Sequence, residues 1–485
     1  MLQYTYFRLF LLGLIINFPL YGISSKPNPQ HIIEEKKEVQ NCNLLVLDLE
    51  KAINLALSES RLLGNVYGNV AQAEINVSLA ESEFDLQILP KGDAGLVGGG
   101  RAGEGITVGA GVEVKKKFTP GTRIVFNPSV MKAASNFQSN LRTSITQPLL
   151  RGFGSEYNLA PIRAAQFSQR NAYRSLYLAQ IRLILATVEG LYSIARQEAL
   201  AELDQESLDR IKKFCMSTRV KEKIGMCDAL DVYRAEIELK HAEDALNGSL
   251  DRLQDAKDNL RDILSLPLDQ EIEVKVPIDY ESVDLDVDKA IEVALCHRIE
   301  LDQARDQIAE SRRLVYIAKN NLMPDLNVVI DYTSYAWDEA FTRSWTTKRE
   351  SKWGIGLVST GDFDSDRQHA SFEGAIISKD DAVRNAEQVH DNIILDVKRT
   401  LRILARAEEK ITLQEEQVQN SRKEFYLSRL KFEHGLANNF DLIQAEKNLR
   451  SAQTALVSAI IEHRIGEFKL LAALGTLADK PGLCR

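Results

Sequence analysis

Along residues 232–263, Val232, Leu239, Leu246, Leu253 and Leu260 recur every seven positions, with Ala235, Ala242, Ser249, Ala256 and Ile263 three places behind each. The same double stripe returns at Leu442, Leu449, Leu456, His463 and Leu470, with Ala445, Ala452, Ala459, Gly466 and Ala473. A bulky heptad seam beside a small one lets neighbouring helices approach closely and interdigitate. Leu404, Ile411, Val418, Phe425 and Phe432 carry such a seam in the stretch before. Two helical regions, about 155–222 and 364–433, contain no proline between Pro161 and Pro267 or between Pro324 and Pro481. Each predicts a helix on the order of 100 Å long. An ordinary buried bundle would show similar stripes, but helices of this length favour coiled-coil packing.

Between the helices the period changes to two. In "ITVGAGVEVKKKF", Ile106, Val108, Ala110, Val112 and Val114 share one side, and Thr107, Gly109, Gly111, Glu113 and Lys115 the other. That is a two-faced strand. "TPGT" at 119–122 reads as a turn, "NLRTSITQPLL" alternates again, and "DLNVVIDYTSY" and "WGIGLVST" are strand-like further on.

The chain repeats itself. Lys51, Ala52, Ile53, Ala56 and Leu57 match Lys289, Ala290, Ile291, Ala294 and Leu295 at an offset of 238. Phe153, Ser155 and Glu156 match Phe363, Ser365 and Asp366, and Gly225, Asp231, Ala235 and Glu236 match Gly435, Asp441, Ala445 and Glu446, at an offset of 210. A period this long indicates duplication of a whole structural unit. The expected division is a signal peptide over 1–25, a linker over 26–46, a first repeat over 47–268, a linker over 269–286, a second repeat over 287–475 and a tail over 476–485. The β-hairpin segments fall at 84–150 and 324–362. The first copy holds 28 more residues before Gln147, either a longer external loop or an additional hairpin outside a barrel. Gly225 and Gly435 mark the tips of helical hairpins, since glycine accepts the left-handed conformation that ends helices. Asp228, or Asn438 and Asn439, can cap the returning helix.

Arg8 precedes an apolar run from Leu9 to Phe18, followed by Gly22, Ser24, Ser25, Pro27 and Pro29. This is signal-peptide order, with a membrane anchor the alternative. No other apolar run reaches 18 residues, so an exported chain of this kind crosses a membrane only as a closed β-barrel. Two hairpins supply four strands, too few to close a useful bore, whereas a trimer would supply twelve. The expected fold is therefore mainly α with membrane β: coiled-coil hairpins forming a tunnel continuous with a trimeric 12-stranded barrel.

The 485 residues are 44% hydrophobic and 27% charged, enough for folded cores, and a net charge of -9 disfavours nucleic acid as a partner. Five scattered cysteines do not make a disulfide scaffold. Cys42 and Cys484 could pair or remain free thiols. Gly98, Gly100 and Gly103 satisfy GxGxxG, but a strand-like run follows where a dinucleotide site needs a helix. His434 and His463 read as surface or packing residues. No catalytic constellation, metal site or cofactor is expected.

"SITQPLLRGFG" at 144–154, "IGM" at 224–226, "HGL" at 434–436 and "DLIQAEKNLRSAQTAL" after the second tip resemble, in that order, motifs of the TolC-like outer membrane efflux proteins. The resemblance covers nearly all of the mature chain. It implies a homotrimeric outer membrane channel-tunnel in a tripartite efflux pump or type I secretion system, with its barrel in outer membrane lipid and its tunnel in the periplasm. The implied partners are a periplasmic adaptor and an inner-membrane pump or ABC transporter. Ile224, Gly225, Met226, His434, Gly435 and Leu436 would dock the adaptor. Asp441, Gln444 and Asp231 stand at the family's periplasmic constriction. Gln444 replaces a second acidic residue, and Phe432 and Ala437 replace a Tyr and an Arg that lock the entrance in the best-known members. An exported coiled-coil scaffold without channel activity is the alternative, and its weakness is the pair of strand segments in register between helices.

Overall fold

The computed structural model describes residues 44–97, 105–133, 136–280, 282, 285–360 and 366–478. The expected signal peptide, the GxGxxG run at 98–103, Cys42 and Cys484 lie outside them. Of the described residues, 44–46 and 269–273 form a small unit and the rest a large one. The Leu45 amide donates to the Glu271 carbonyl at 3.0 Å, and strands β1 (Leu45–Leu47) and β6 (Ile272–Val274) form a two-stranded sheet.

In the large unit one order of elements runs twice. Helices α1 (Leu49–Glu59) and α2 (Arg61–Ser82) lead into strands β2 (Gln87–Val97), β3 (Gly105–Lys117), β4 (Arg123–Ala133) and β5 (Asn136–Pro148). After the turn α3 (Ser155–Asn158), the 64-residue α4 (Ala160–Lys223) and the 35-residue α5 (Ala229–Ile263) form a hairpin. The second pass is α6 (Val287–His297), α7 (Ile299–Asn321), β7 (Asp325–Asp338), the short α8 (Phe341–Thr346), β8 (Glu350–Thr360), the 68-residue α9 (Asp366–Glu433) and α10 (Asn439–Leu474).

The small seams are buried almost throughout, and the bulky seams mostly so in the second copy, whereas Val232, Leu239, Leu246 and Leu253 of α5 are half-buried. Ala445 and Ala459 are fully covered, and Leu442, Leu449 and Leu470 are buried with them. On α9, Leu404, Ile411, Val418 and Phe432 are buried in turn. At Gly466 an added Cβ would lie 3.1 Å from a Leu404 methyl, so the small seam is what admits the opposing knob. One cluster joins Ala290, Leu301, Val397, Leu404 and Leu470 from α6, α7, α9 and α10, and another joins Ile184, Val188, Tyr192 and Ile461 with Ile53 of α1. Helix α4 also contains an 18-residue window of mean hydropathy 1.3, long and apolar enough to span a membrane. Half of that window is buried inside the molecule, so its apolarity also serves the helical core.

The sheet corrects the strand count. Two hairpins per chain predict four strands, but one antiparallel sheet holds six, in the order β2-β3-β4-β5-β7-β8. The first segment folds into two hairpins, because "TPGT" turns β3 back into β4 while a further strand, β2, precedes β3. The 28 additional residues thus extend the sheet, and twelve strands from three copies no longer follows.

The chain passes from sheet to helix through a built elbow. Beyond Pro148, Gly152 and Gly154 adopt φ of 84° and 102°, conformations that favour glycine. Asn158 Nδ2 donates to the Gly152 and Gly154 carbonyls at 2.8 and 3.0 Å, and the Gly152 amide donates to Asn320 Oδ1 at 2.8 Å. These contacts account for the residue types in "SITQPLLRGFG".

Candidate functional site

The two hairpin tips are built alike. At the first, Gly225 has φ 74°, its amide donates to the Glu222 carbonyl at 2.9 Å, and the Met226 amide donates to the Lys221 carbonyl at 2.8 Å. At the second, Gly435 has φ 75°, with Gly435 to Phe432 at 3.1 Å and Leu436 to Lys431 at 2.8 Å. This double bond around a left-handed glycine closes the helix by satisfying its last carbonyls. It turns the flanking side chains outward: Ile224, Met226, Leu436 and Phe440 are 61–79% exposed. His434 is exposed as well.

The caps are unequal. Asn438 accepts the Asp441 amide at 3.0 Å and so caps α10. Asp228 stands at the equivalent position of α5 without a side-chain cap. Asn439 has a different task from the capping expected of it. Buried to 1% exposure, it donates from Nδ2 to the Asp231 carbonyl at 2.7 Å and so ties the second tip to the first.

A second tie lies beside it. Lys221 Nζ donates to the Phe432 carbonyl and sits 3.8 Å from the centre of the Phe432 ring, whose edge meets Phe214 at 5.2 Å between centroids. An ammonium over an aromatic face is attractive. Phe432, where the resemblance implies a tyrosine, therefore holds its place by packing and a cation contact. Neither tie was legible from spacing, since Lys221–Phe432 and Asn439–Asp231 join residues 211 and 208 positions apart.

Of the predicted constriction residues, Asp441 is exposed in the first turn of α10, where its charge complements the helix dipole. Gln444, one turn on, is exposed and donates to Asn448 at 2.9 Å. Asp231 is half-buried, its carboxylate 3.7 Å from Arg234. The tips bring Asp231 and Asn439 into contact within one chain. Cys227 at the first tip is half-buried, its thiol pushed up by burial and by Asp231 against the lowering effect of Lys221.

Above the tips, buried charges tie the hairpins together. Asp204 of α4, 5% exposed, accepts from Ser249 of α5 at 2.5 Å and from Arg450 of α10 at 2.6 Å. Arg210 pairs with the buried Glu446 at 3.0 Å, and Lys447 with Glu238 at 2.8 Å. The Asp204 and Glu446 side chains, each 6% exposed, join the hairpins through low-dielectric pairs, whereas Lys447 is 53% exposed. No group of three metal-ligating side chains occurs among the described residues.

Residues 290–476 match the family model described as outer membrane efflux protein. The antibiotic efflux pump outer membrane protein ArpC of Pseudomonas putida is 23% identical over 377 residues, covering 72% of this chain and 75% of ArpC. Among solved structures, the Campylobacter jejuni outer membrane channel CmeC overlays with a TM-score of 0.70 at 11% identity, covering 88% of this chain and 86% of its own. The Vibrio cholerae outer membrane protein VceC overlays at 0.69 with 16% identity, covering 88% and 96%. At these identities the structural likeness is one of fold.

Proposed function

We propose that the chain is an outer membrane efflux protein, a transport protein and not an enzyme, and that three copies of it close one pore through the outer membrane with a helical tunnel beneath it. The observation that carries this reading is the two-faced sheet. Directly paired residues of an antiparallel sheet share a face, and Ile124, Ile145, Ile330 and Ile355 lie in one such row. Val114, Phe126, Thr143, Tyr332 and Trp353 lie in the next on the same face. The opposite face carries Arg142, Ser144, Asp331, Thr333 and Lys352. Apart from Lys116, which pairs with Ile124 at the end of the first row, these rows are apolar on one face and polar on the other, the pattern of a wall between lipid and water.

Conduction through such a pore is passive, and energy comes from a partner. Proteins of this family work with a periplasmic adaptor and an inner-membrane transporter. The exposed Ile224, Met226 and Leu436 suit an adaptor that buries them, with Gly225, His434 and Gly435 shaping the surface. Three copies of Asp441 would ring the entrance with carboxylates, Gln444 leaving a second ring uncharged and Asp231 supporting the first. In place of the lock residues implied by the resemblance, Lys221 on Phe432 and Asn439 on Asp231 hold the tips together.

The test is single-channel recording from the purified mature protein in planar bilayers. A steady current, blocked by a trivalent cation and less blocked in Asp441→Asn, is the expected result. Unchanged block would remove Asp441 from the pore. A folded trimer that never conducts would favour the scaffold.

A further inference from the structure

The strand pair β2–β3 is the part of the sheet that four strands per chain leave unexplained. It joins the sheet in continuous register: eleven residue pairs link β2 to β3, and Val114–Phe126 through Lys117–Arg123 and Thr107–Ala133 through Gly111–Ser129 link β3 to β4. It also continues both faces. Ile88, Pro90, Gly92, Ala94 and Leu96 pair with Val114, Val112, Ala110, Val108 and Ile106 on the apolar side, and Leu96 is 85% exposed. Lys91, Asp93, Glu113 and Lys115 lie on the other side, where Glu113 is buried between Lys91 and Lys115, the latter at 2.5 Å.

That division excludes two other placements. A hairpin standing free in water would expose its apolar face, and one lying in lipid outside the wall would carry the Lys91–Glu113–Lys115 cluster into hydrocarbon. Only a position in the wall gives each face its own solvent. The outer edges of the sheet are then β2 and β8. Every residue of β8 is exposed, and so are the described residues of β2 from 88 to 96. Strand edges with free backbone groups inside a membrane must be paired.

We propose that β8 of each copy pairs with β2 of the next, so that the pore wall contains six strands from every chain and eighteen in a trimer. The inference rests on the channel reading for the number of copies, but not for the edges. At equal tilt, barrel size grows roughly in proportion to strand number, so the bore is about 1.5 times as wide as a twelve-stranded one. At the level of the membrane the wall then suits bulkier solutes than a four-strand-per-chain barrel passes, and Lys91, Asp93, Glu113 and Lys115 line its lumen.

The experiment uses the full-length chain with its native cysteines changed to serine. One set of variants carries Asp93→Cys or Gly95→Cys on the luminal face of β2, or Gly92→Cys or Ala94→Cys on the lipid face. A charged, water-soluble thiol reagent is applied during single-channel recording. The expected result is a stepwise fall in current for the first two and no change for the others. A second set pairs Asp93→Cys on β2, or Ser129→Cys on β4, with Lys352→Cys, Gly354→Cys or Gly356→Cys on β8, and is oxidised in the membrane. Covalent dimers and trimers should form through β2 and not through β4. Current insensitive to every β2 label, with cross-links through β4, would overturn the eighteen-stranded wall and leave the channel reading intact. Cross-links through β2 without any current would support the edge pairing and overturn the channel reading.

Discussion

Helix α7 meets α4 through an ion pair at Asp306 and through Arg313, which donates to the Ala160 carbonyl at 3.2 Å. Asp306 accepts from Arg174 at 2.5 Å and from Arg170 at 3.0 Å, and the Arg174 side chain is 5% exposed against 31% for Asp306. Burial alone would raise the Asp306 pKa, but hydrogen bonds from the two guanidiniums outweigh it and hold the group below its ordinary 3.8. Asp306→Asn keeps the shape and removes the charge, leaving Arg174 buried without its anion. Breaking a fully buried pair costs about 3–5 kcal/mol and an exposed one about 0–1, so a third-exposed partner places the loss at roughly 2 kcal/mol. At about 1.36 kcal/mol per tenfold, amide exchange through local opening of α7 should accelerate roughly 30-fold. Hydrogen-exchange mass spectrometry of the detergent-solubilised protein reads this peptide by peptide. The sign of the pH dependence follows from the depressed pKa. The stabilisation is fully present above 3.8 and is lost as pH falls through the lower folded value, so protection of α7 in the wild type should drop in that window and stay flat in Asp306→Asn. A change smaller than twofold, or a variant that keeps the acid-dependent drop, would refute the assignment.

Gly435→Ala meets no atom within 4 Å, so its cost is conformational alone, about 1 kcal/mol for a left-handed residue. It should show as roughly fivefold faster exchange confined to the tip. Asn439→Ala leaves the Asp231 carbonyl without its partner, at about 1–2 kcal/mol, and should raise the open time of single channels; unchanged gating would show that this tie does not hold the entrance. Asp204→Ala strips Arg450, itself 37% exposed, and Ser249 of their shared acceptor and should cost about 2 kcal/mol. A thermal melt followed by helical circular dichroism should shift downward, and Arg450→Met in the same chain should recover part of the loss.

What the residues disclosed in advance was whatever depends on near neighbours. Gly225 and Gly435 announce their helix ends because no other residue takes φ near 75° as freely, and the alanine and leucine seams announce burial because a heptad repeats one face. The elbow at Gly152 and Gly154 is equally local. Strand β2 escaped because "QILPKGDAGLV" places Leu89 on the polar side and interrupts alternation with Pro90, Gly92 and Gly95. The short helix α8 escaped inside a β-hairpin connection for want of any period in six residues. The ties at the hairpin tips were hidden for another reason: Lys221, Phe432, Asn439 and Asp231 belong to different repeats, and sequence spacing says nothing about which hairpin lies against which.

The free edges of β2 and β8 set an order of events in biogenesis. Helices close their hydrogen bonds within their own turns, so the hairpins of a single chain can form in the periplasm before any neighbour arrives. The sheet has no such independence: its two borders, β2 and β8, find no partner strand within the sheet of one chain. On the proposed pairing of β8 with β2 of the next copy, membrane insertion and subunit recruitment become one cooperative step, steep in protomer concentration.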